Sequence, residues 1–245
     1  MFSGFSKETG EFLWELAFNN ERPWFLAHKE TFERVLNEPF KALARELYDE
    51  MGRLCPGEDF SVHVSRIYRD ARRLFGRGPY KDHLWLTLTP AAASDYGPAF
   101  WFQIGASDYS YGLGFWAPAS AYMEAFRAAI AANPAAFERL VKKLSPMRGF
   151  ALHGEEFRRP KGDLGEIINP WYNRKYLDFG TDRDHDALLY SHELPRRVAE
   201  DWNRLMPLCR FMTEATSLSP CTNTPPTSGS LRAMYSGTSF CGVMG

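Results

Sequence analysis

Four short segments in the middle of the chain decide the fold: SVHVSRIY (61–68), LWLTLT (84–89), FWFQI (100–104) and YSYGLGF (109–115). In each segment apolar residues recur at about every second position, which is the pattern of a half-buried β-strand. The connections between the segments show no helical pattern, and strands joined without crossover helices pair antiparallel. We therefore predict a central antiparallel sheet.

Helical patterns precede these strands. Ser6 is a candidate N-cap, and Pro23 and Pro39 each suit the first turn of a helix. One helix is expected to run from Pro23 past Phe32, and the helix that begins at Pro39 is expected to end at Gly52. The first fifty residues are therefore predicted to be helical.

Helical spacing returns after the strands, in 122–144 and in a last helix that begins near Pro195. The segment 146–195 is mixed and predicts one or two short strands. Helices, then strands, then helices indicate an α+β fold, with helices packed on an antiparallel sheet. We assign 1–216 to a single domain of this class.

The end of the chain has a different composition. Residues 217–245 hold 6 Ser, 4 Thr, 4 Gly and 3 Pro, and Arg232 is the only charged residue among them. Such a segment buries too little apolar surface to offset the entropy lost on ordering. It is predicted to be a disordered tail.

Composition narrows the function classes. Lys and Arg number 29 against 30 Asp and Glu, which argues against a generally basic nucleic-acid coat protein and against attachment to membranes by overall charge. The sequence shows neither a signal peptide nor an apolar run of about 18 residues, so a cytoplasmic protein is expected. Cysteines stand alone, without CxxC pairs, which predicts free thiols and no metal site; no cofactor motif is found.

One segment concentrates positive charge. RIYRDARRLFGRGPYK, from Arg66 to Lys81, holds six cations against the single acid Asp70, a net charge of +5 in sixteen residues. It lies between two predicted strands, where loops often carry functional groups. Guanidinium forks bind phosphate or carboxylate oxygens, and glycines let backbone N–H groups approach an anion. We expect an anionic small molecule to bind through residues of this segment, namely Arg66, Arg69, Asp70, Arg72, Tyr80 and Lys81.

Two other interpretations use the same residues. The cations could serve a nucleic-acid accessory protein, with weak and strongly salt-dependent binding. Alternatively, the Arg and Asp residues could be structural and join the sheet to the helices, in an interaction module without enzymatic activity. Alanine substitution of Arg69 separates a binding role from a structural one.

The segment also carries a family resemblance. Arg66-Ile-Tyr-Arg69-Asp70-Ala-Arg72, followed by Pro79-Tyr80-Lys81, resembles the RxxRDxRF-xxx-KxPYK signature of an uncharacterised bacterial family of conserved hypothetical proteins, classed as a domain of unknown function. Arg73 replaces the Phe of the signature, and Arg77 replaces its Lys. The resemblance extends from about Phe5 to Met212 and implies that the matching residues matter to the family.

A second, weaker site lies near the N-terminus. The resemblance includes Asn19-Asn20, Trp24-Phe25 and His28-Lys29, at the corner between two predicted helices. We keep four of these residues as secondary candidates, since a histidine there can act as a base or a ligand. They are Asn20, Trp24, His28 and Lys29.

Two further patterns favour ordinary structural roles. Asp182, Asp184, Asp186 and Glu193 have the spacing of a calcium loop, but Ala187 occupies the position where that loop needs glycine. The aromatic stripes Phe100/Phe102 and Tyr109/Tyr111 could stack on bases, although aromatic residues on strands more often pack in a core. We expect neither calcium nor base stacking.

Overall fold

The computed structural model describes residues 1–70, 72, 76, 78–93, 97–115, 118 and 120–217. Helices and strands follow one another in the predicted order, and the fold is α+β. The elements are α1 (Lys7–Phe18), α2 (Arg22–Ala27), α3 (Lys29–Phe32), a π-helical turn (Glu33–Asn37), α4 (Glu38–Leu54), β1 (Phe60–Val64), β2 (Leu84–Pro90), β3 (Pro98–Ile104), β4 (Asp108–Phe115), α5 (Ser120–Ala132), α6 (Pro134–Leu144), β5 (Phe150–His153), α7 (Asn169–Tyr172), β6 (Asp178–Asp184) and α8 (Leu194–Ser217).

The six strands form one antiparallel sheet in the order β1-β2-β3-β4-β6-β5. The four predicted strands pair as neighbours, as their short patterns indicated. The two strands from 146–195 extend the sheet, with β6 placed between β4 and β5. Among the helices of the described ranges, none is long and apolar enough to cross a membrane.

One face of the sheet forms the core, and we call it the inner face. Phe100, Phe102, Tyr109 and Tyr111 all point to this side and are almost fully buried. The expectation that these aromatic stripes pack in a core is therefore confirmed. α4 and α8 cover this face, and the Trp202 ring of α8 stacks on Phe100 at 5.4 Å.

Most helix boundaries agree with the sequence, and two differ. Ser6 is the N-cap of α1, and Pro23 and Pro39 lie in the first turns of α2 and α4. The predicted helix from Pro23 past Phe32 is broken at His28, where the backbone leaves helical geometry (ψ 14°). α4 continues past Gly52 to Leu54, because Gly52 does not adopt the left-handed backbone conformation (positive φ) that commonly ends a helix.

The predicted tail, 217–245, lies outside the described residues except for its first member. Ser217 is the last residue of α8, and its Oγ donates a hydrogen bond of 2.8 Å to the carbonyl of Thr213. The boundary of the helical part therefore lies one residue later than predicted.

Candidate functional site

The cationic segment joins β1 to β2, and its two halves lie side by side. Beyond the ends of both strands, the Lys81 N–H donates to the Ile67 carbonyl and the Arg69 N–H to the Pro79 carbonyl, each at 2.8 Å. Residues 66–69 and 79–82 therefore continue the strand pairing. This pairing explains why the signature has two parts separated by a gap.

A hydrogen-bonded cluster holds this paired region to the corner between α1 and α2. The Tyr80 N–H donates to Asn20 Oδ1 at 2.9 Å, and Asn20 Nδ2 donates back to the Tyr80 carbonyl at 3.0 Å. Arg69 Nε donates to the same carbonyl at 2.7 Å. A Cβ at Gly78 would lie 2.3 Å from Asn20 Oδ1, so only glycine fits beside this amide. We call Asn20, Arg69 and Tyr80 the staple.

The Tyr80 ring contributes packing. It is 2 % exposed and stacks on Phe25 at 4.1 Å, and burial raises the pKa of its hydroxyl. The expected role of Tyr80 as a hydrogen-bond donor to a ligand therefore stays a prediction. Tyr80 contacts the N-terminal helical region through its backbone, at Asn20, and through its ring, at Phe25.

The four secondary candidates lie at and after the corner between α1 and α2, and their contacts differ. Asn20 belongs to the staple. The His28 ring stacks on Trp24 at 4.1 Å, and its Nδ1 lies 2.8 Å from the Trp24 carbonyl oxygen. Trp24 and His28 therefore have a structural role at the C-terminal end of α2, where His28 is the C-cap. Lys29, the next residue, is exposed.

We define the cationic surface as the three described signature cations outside the staple, namely Arg66, Arg72 and Lys81. The Lys81 ammonium donates to the Arg66 carbonyl at 2.5 Å and lies 5.7 Å from the Trp85 ring centre. Burial lowers the pKa of Lys81, and the positive charges of Arg69 and Arg66 lower it further. Cations that disfavour one another's charge in this way create a favourable position for an anion.

The acid that follows Lys81 in the chain is already engaged. Asp82 lies 2.8 Å from His83 Nδ1 and 3.3 Å from the Arg69 guanidinium. The hydrogen bond from His83 is the main cause that lowers the pKa of Asp82 to about 2. Asp82 is therefore ionised at neutral pH and pairs with the staple rather than with Arg66.

Asp70 and Arg72 form an ion pair within the loop. Arg72 Nε and Nη2 donate to the two carboxylate oxygens at 3.1 and 2.8 Å, and the Arg72 N–H adds a third bond at 3.0 Å. The hydrogen bond to Asp70 raises the pKa of Arg72. Asp70 thus holds the Arg72 side chain in place, and binding of an anion through these two residues stays a prediction. Arg73 and Arg77 lie outside the described residues.

The sheet face opposite the core, which we call the outer face, continues from this surface. It presents Trp85 on β2 and Trp101 on β3, both partly exposed. On β5, His153 Nδ1 lies 3.2 Å from Asp178 Oδ1. Sequence reasoning singled out none of these side chains, although strand alternation places each opposite the apolar positions.

The calcium-like spacing belongs to a strand and its turn. Asp182 and Asp184 lie on β6, while Asp186 accepts from Arg183 Nε and from the Tyr109 hydroxyl, each at 3.0 Å. Within the described part of the chain, no group of three or more His, Cys, Asp or Glu residues is arranged to hold a metal ion.

Comparison with known proteins identifies the family. No curated protein matches the chain. The model of a family described as "Conserved hypothetical protein (DUF2461)" matches residues 8–211, most of the chain. This range nearly coincides with the part of the sequence in which the resemblance was found. The chain therefore belongs to the conserved hypothetical protein family DUF2461.

Proposed function

We propose that this protein binds an anionic small molecule, bearing phosphate or carboxylate, at the cationic surface of Arg66, Arg72 and Lys81. The observation that carries the proposal is the position of the Lys81 ammonium, which is partly buried and bonded to the carbonyl of the exposed Arg66 at 2.5 Å. In agreement with this position, burial and the charges of Arg69 and Arg66 lower the pKa of Lys81. An anion there would interact with several positive charges at once. Charge-assisted hydrogen bonds to such oxygens are stronger than neutral ones.

Arg66 is the most available member of this surface. Its side chain is exposed, and among the described residues no carboxylate lies within ion-pair distance of its guanidinium. Arg72 is exposed as well and holds Asp70 through two nitrogens. An incoming anion would therefore bind first between Arg66 and Lys81.

The staple supports the proposal by fixing the position of this surface. Asn20 and Arg69 hold the backbone of Tyr80, the residue immediately before Lys81. A rigid backbone reduces the entropy lost when a ligand orders the side chains. We therefore assign the structural interpretation to Arg69 and Tyr80, which were also expected to bind the anion, and the binding interpretation to Arg66 and Lys81.

Nucleic acid is the weaker alternative as a ligand. The aromatic stripes Phe100/Phe102 and Tyr109/Tyr111 are buried on the inner face of the sheet, where bases cannot stack on them. Without these rings an oligonucleotide would bind mainly through the cations, and its binding would weaken steeply with added salt.

A reducing compartment such as the cytoplasm suits the two described cysteines. Cys55 and Cys209 are free and buried, and burial raises the pKa of Cys209 to about 12. Such thiols react slowly and need no disulfide partner. Cys221 and Cys241 lie outside the described residues.

Isothermal titration with inorganic pyrophosphate and with citrate tests the proposal, because these probes carry the two anion chemistries. We expect heat of binding with at least one of them, and loss of that heat in Arg66→Ala. Arg139→Ala, which removes an exposed arginine from α6, is the matched control and should bind as the wild type does. Equal binding by both variants would contradict the proposal.

A further inference from the structure

A second feature lies on the outer face, toward the other edge of the sheet. Trp101 on β3 pairs with Gly112 on β4, and Gly112 pairs with Gly180 on β6. A Cβ placed on Gly180 would lie 2.9 Å from Trp101 Cζ2. The indole ring therefore crosses β4 and reaches β6, in space that the two glycines leave open.

The residue that this ring edge reaches, Gly180, lies between two acidic residues of β6. Asp178 and Asp182 stand two residues before and after Gly180, so all three share the outer face. Strand geometry places the Cα of each aspartate about 6.6 Å from the Cα of Gly180. His153 faces both carboxylates, with Nδ1 3.2 Å from Asp178 Oδ1 and Nε2 3.8 Å from Asp182 Oδ2.

The charges here are the opposite of those at the cationic surface. Two carboxylates face one imidazole, and Asp182 remains 70 % exposed. The face of an indole ring carries the negative part of its quadrupole, and tryptophan is the best aromatic partner for a cation. Ring and carboxylates therefore attract the same kind of group.

We propose that Trp101, with Asp178 and Asp182, binds an organic cation, namely a ligand group of the ammonium or guanidinium class. The cation lies on the exposed side of the indole ring and is held by Asp182, while His153 keeps Asp178 in place. The flat indole ring suits an alkylated ammonium better than a hydrated metal ion. The alkyl groups of such a cation contact the ring directly, whereas a hydrated metal ion keeps its water shell between the charge and the ring.

This site is independent of the anion site. Three strand spacings, β2 to β3, β3 to β4 and β4 to β6, separate Trp85 from Asp182, which amounts to about 14 Å. Substitutions at Arg66 or Lys81 therefore leave the cation site intact. Failure of one proposal would not decide the other.

Choline is the probe, and its neutral isostere 3,3-dimethyl-1-butanol is the control ligand. The seven tryptophans give separate indole N–H signals in a ¹⁵N-labelled protein, and Trp101→Phe identifies the one from Trp101. We expect choline, but not the alcohol, to shift that signal in a saturable way. Asp182→Asn should weaken choline binding about two- to fivefold, which corresponds to one lost charge contact at an exposed carboxylate.

Asp49→Asn is the matched control, since it removes an exposed aspartate from α4 and should leave the choline affinity unchanged. Equal shifts with choline and the neutral alcohol would overturn the proposal, as would an Asp182→Asn variant that binds choline like the wild type. Absence of any shift at Trp101 with choline would also overturn it.

Discussion

The substitution Arg69→Ala should destabilise the fold. The Arg69 side chain is only 14 % exposed, and its Nε donates a 2.7 Å bond to the Tyr80 carbonyl. Hydrogen bonds with a charged partner contribute about 1.5–3 kcal/mol. The additional ion pair with Asp82 contributes less than about 1 kcal/mol, because Asp82 is 55 % exposed. The expected loss in free energy of unfolding is therefore about 2–3 kcal/mol.

Urea unfolding followed by circular dichroism measures this loss. For a domain of about 200 residues, each kcal/mol shifts the melting temperature by about 2–4 °C, so Arg69→Ala should melt about 4–12 °C lower. Arg66→Ala is the matched control, because it removes an exposed arginine three residues away. Its free energy of unfolding should stay within about 0.5 kcal/mol of the wild type. Equal stability of the two variants would refute the structural role of Arg69.

Three further predictions concern the staple and the outer face. Asn20→Ala should lower the free energy of unfolding by about 1–3 kcal/mol in urea titrations, since two backbone groups lose their partner. The bond to Asp178 raises the pKa of His153, so this contribution to stability is full below about pH 6.5 and disappears as pH rises through the raised folded value. The difference in stability between wild type and His153→Gln should therefore shrink between pH 6 and pH 8.5; a constant difference would contradict this. Gly180→Ala should displace Trp101, with a change in its indole N–H shift and a loss of about 1–3 kcal/mol; an unchanged signal would rule out the close contact.

The alternation of apolar residues along the strands made most of the sheet predictable from the sequence. Because Phe100, Phe102, Tyr109 and Tyr111 alternate with polar or small residues, the sequence indicated which side of each strand enters the core, and all four are buried. On the opposite side, Gly112 lies where two backbones approach closely, since a Cβ there would lie 2.5 Å from the Phe179 carbonyl oxygen of β6.

The position of β6 was not predictable from local patterns. Its segment, DFGTDRD (178–184), is rich in charge and lacks a regular apolar alternation. It enters the sheet between β4 and β5 because Gly112 and Gly180 allow the two backbones to come close. Information of this kind lies in pairs of residues far apart in sequence, which a single pattern does not contain.

The sequence predicted which segment forms the candidate site, but not which of its arginines hold the backbone and which are exposed. Charge counting located the segment from Arg66 to Lys81. Only the structure separates Arg69, whose Nε holds a backbone carbonyl, from Arg66, which is exposed. The same carbonyl of Tyr80 also accepts a hydrogen bond from Asn20, sixty residues earlier in the chain. A sequence read segment by segment does not bring those residues together.

Thermal melts of the wild type and of an Arg66→Ala/Lys81→Met variant, against a panel of phosphate- and carboxylate-bearing metabolites, test the central claim most directly. A ligand at about 100 times its Kd adds about 2.7 kcal/mol, which such melts detect. We predict that at least one anion raises the melting temperature of the wild type and leaves that of the double variant unchanged. A panel that stabilises neither protein, or both equally, would contradict anion binding at this surface.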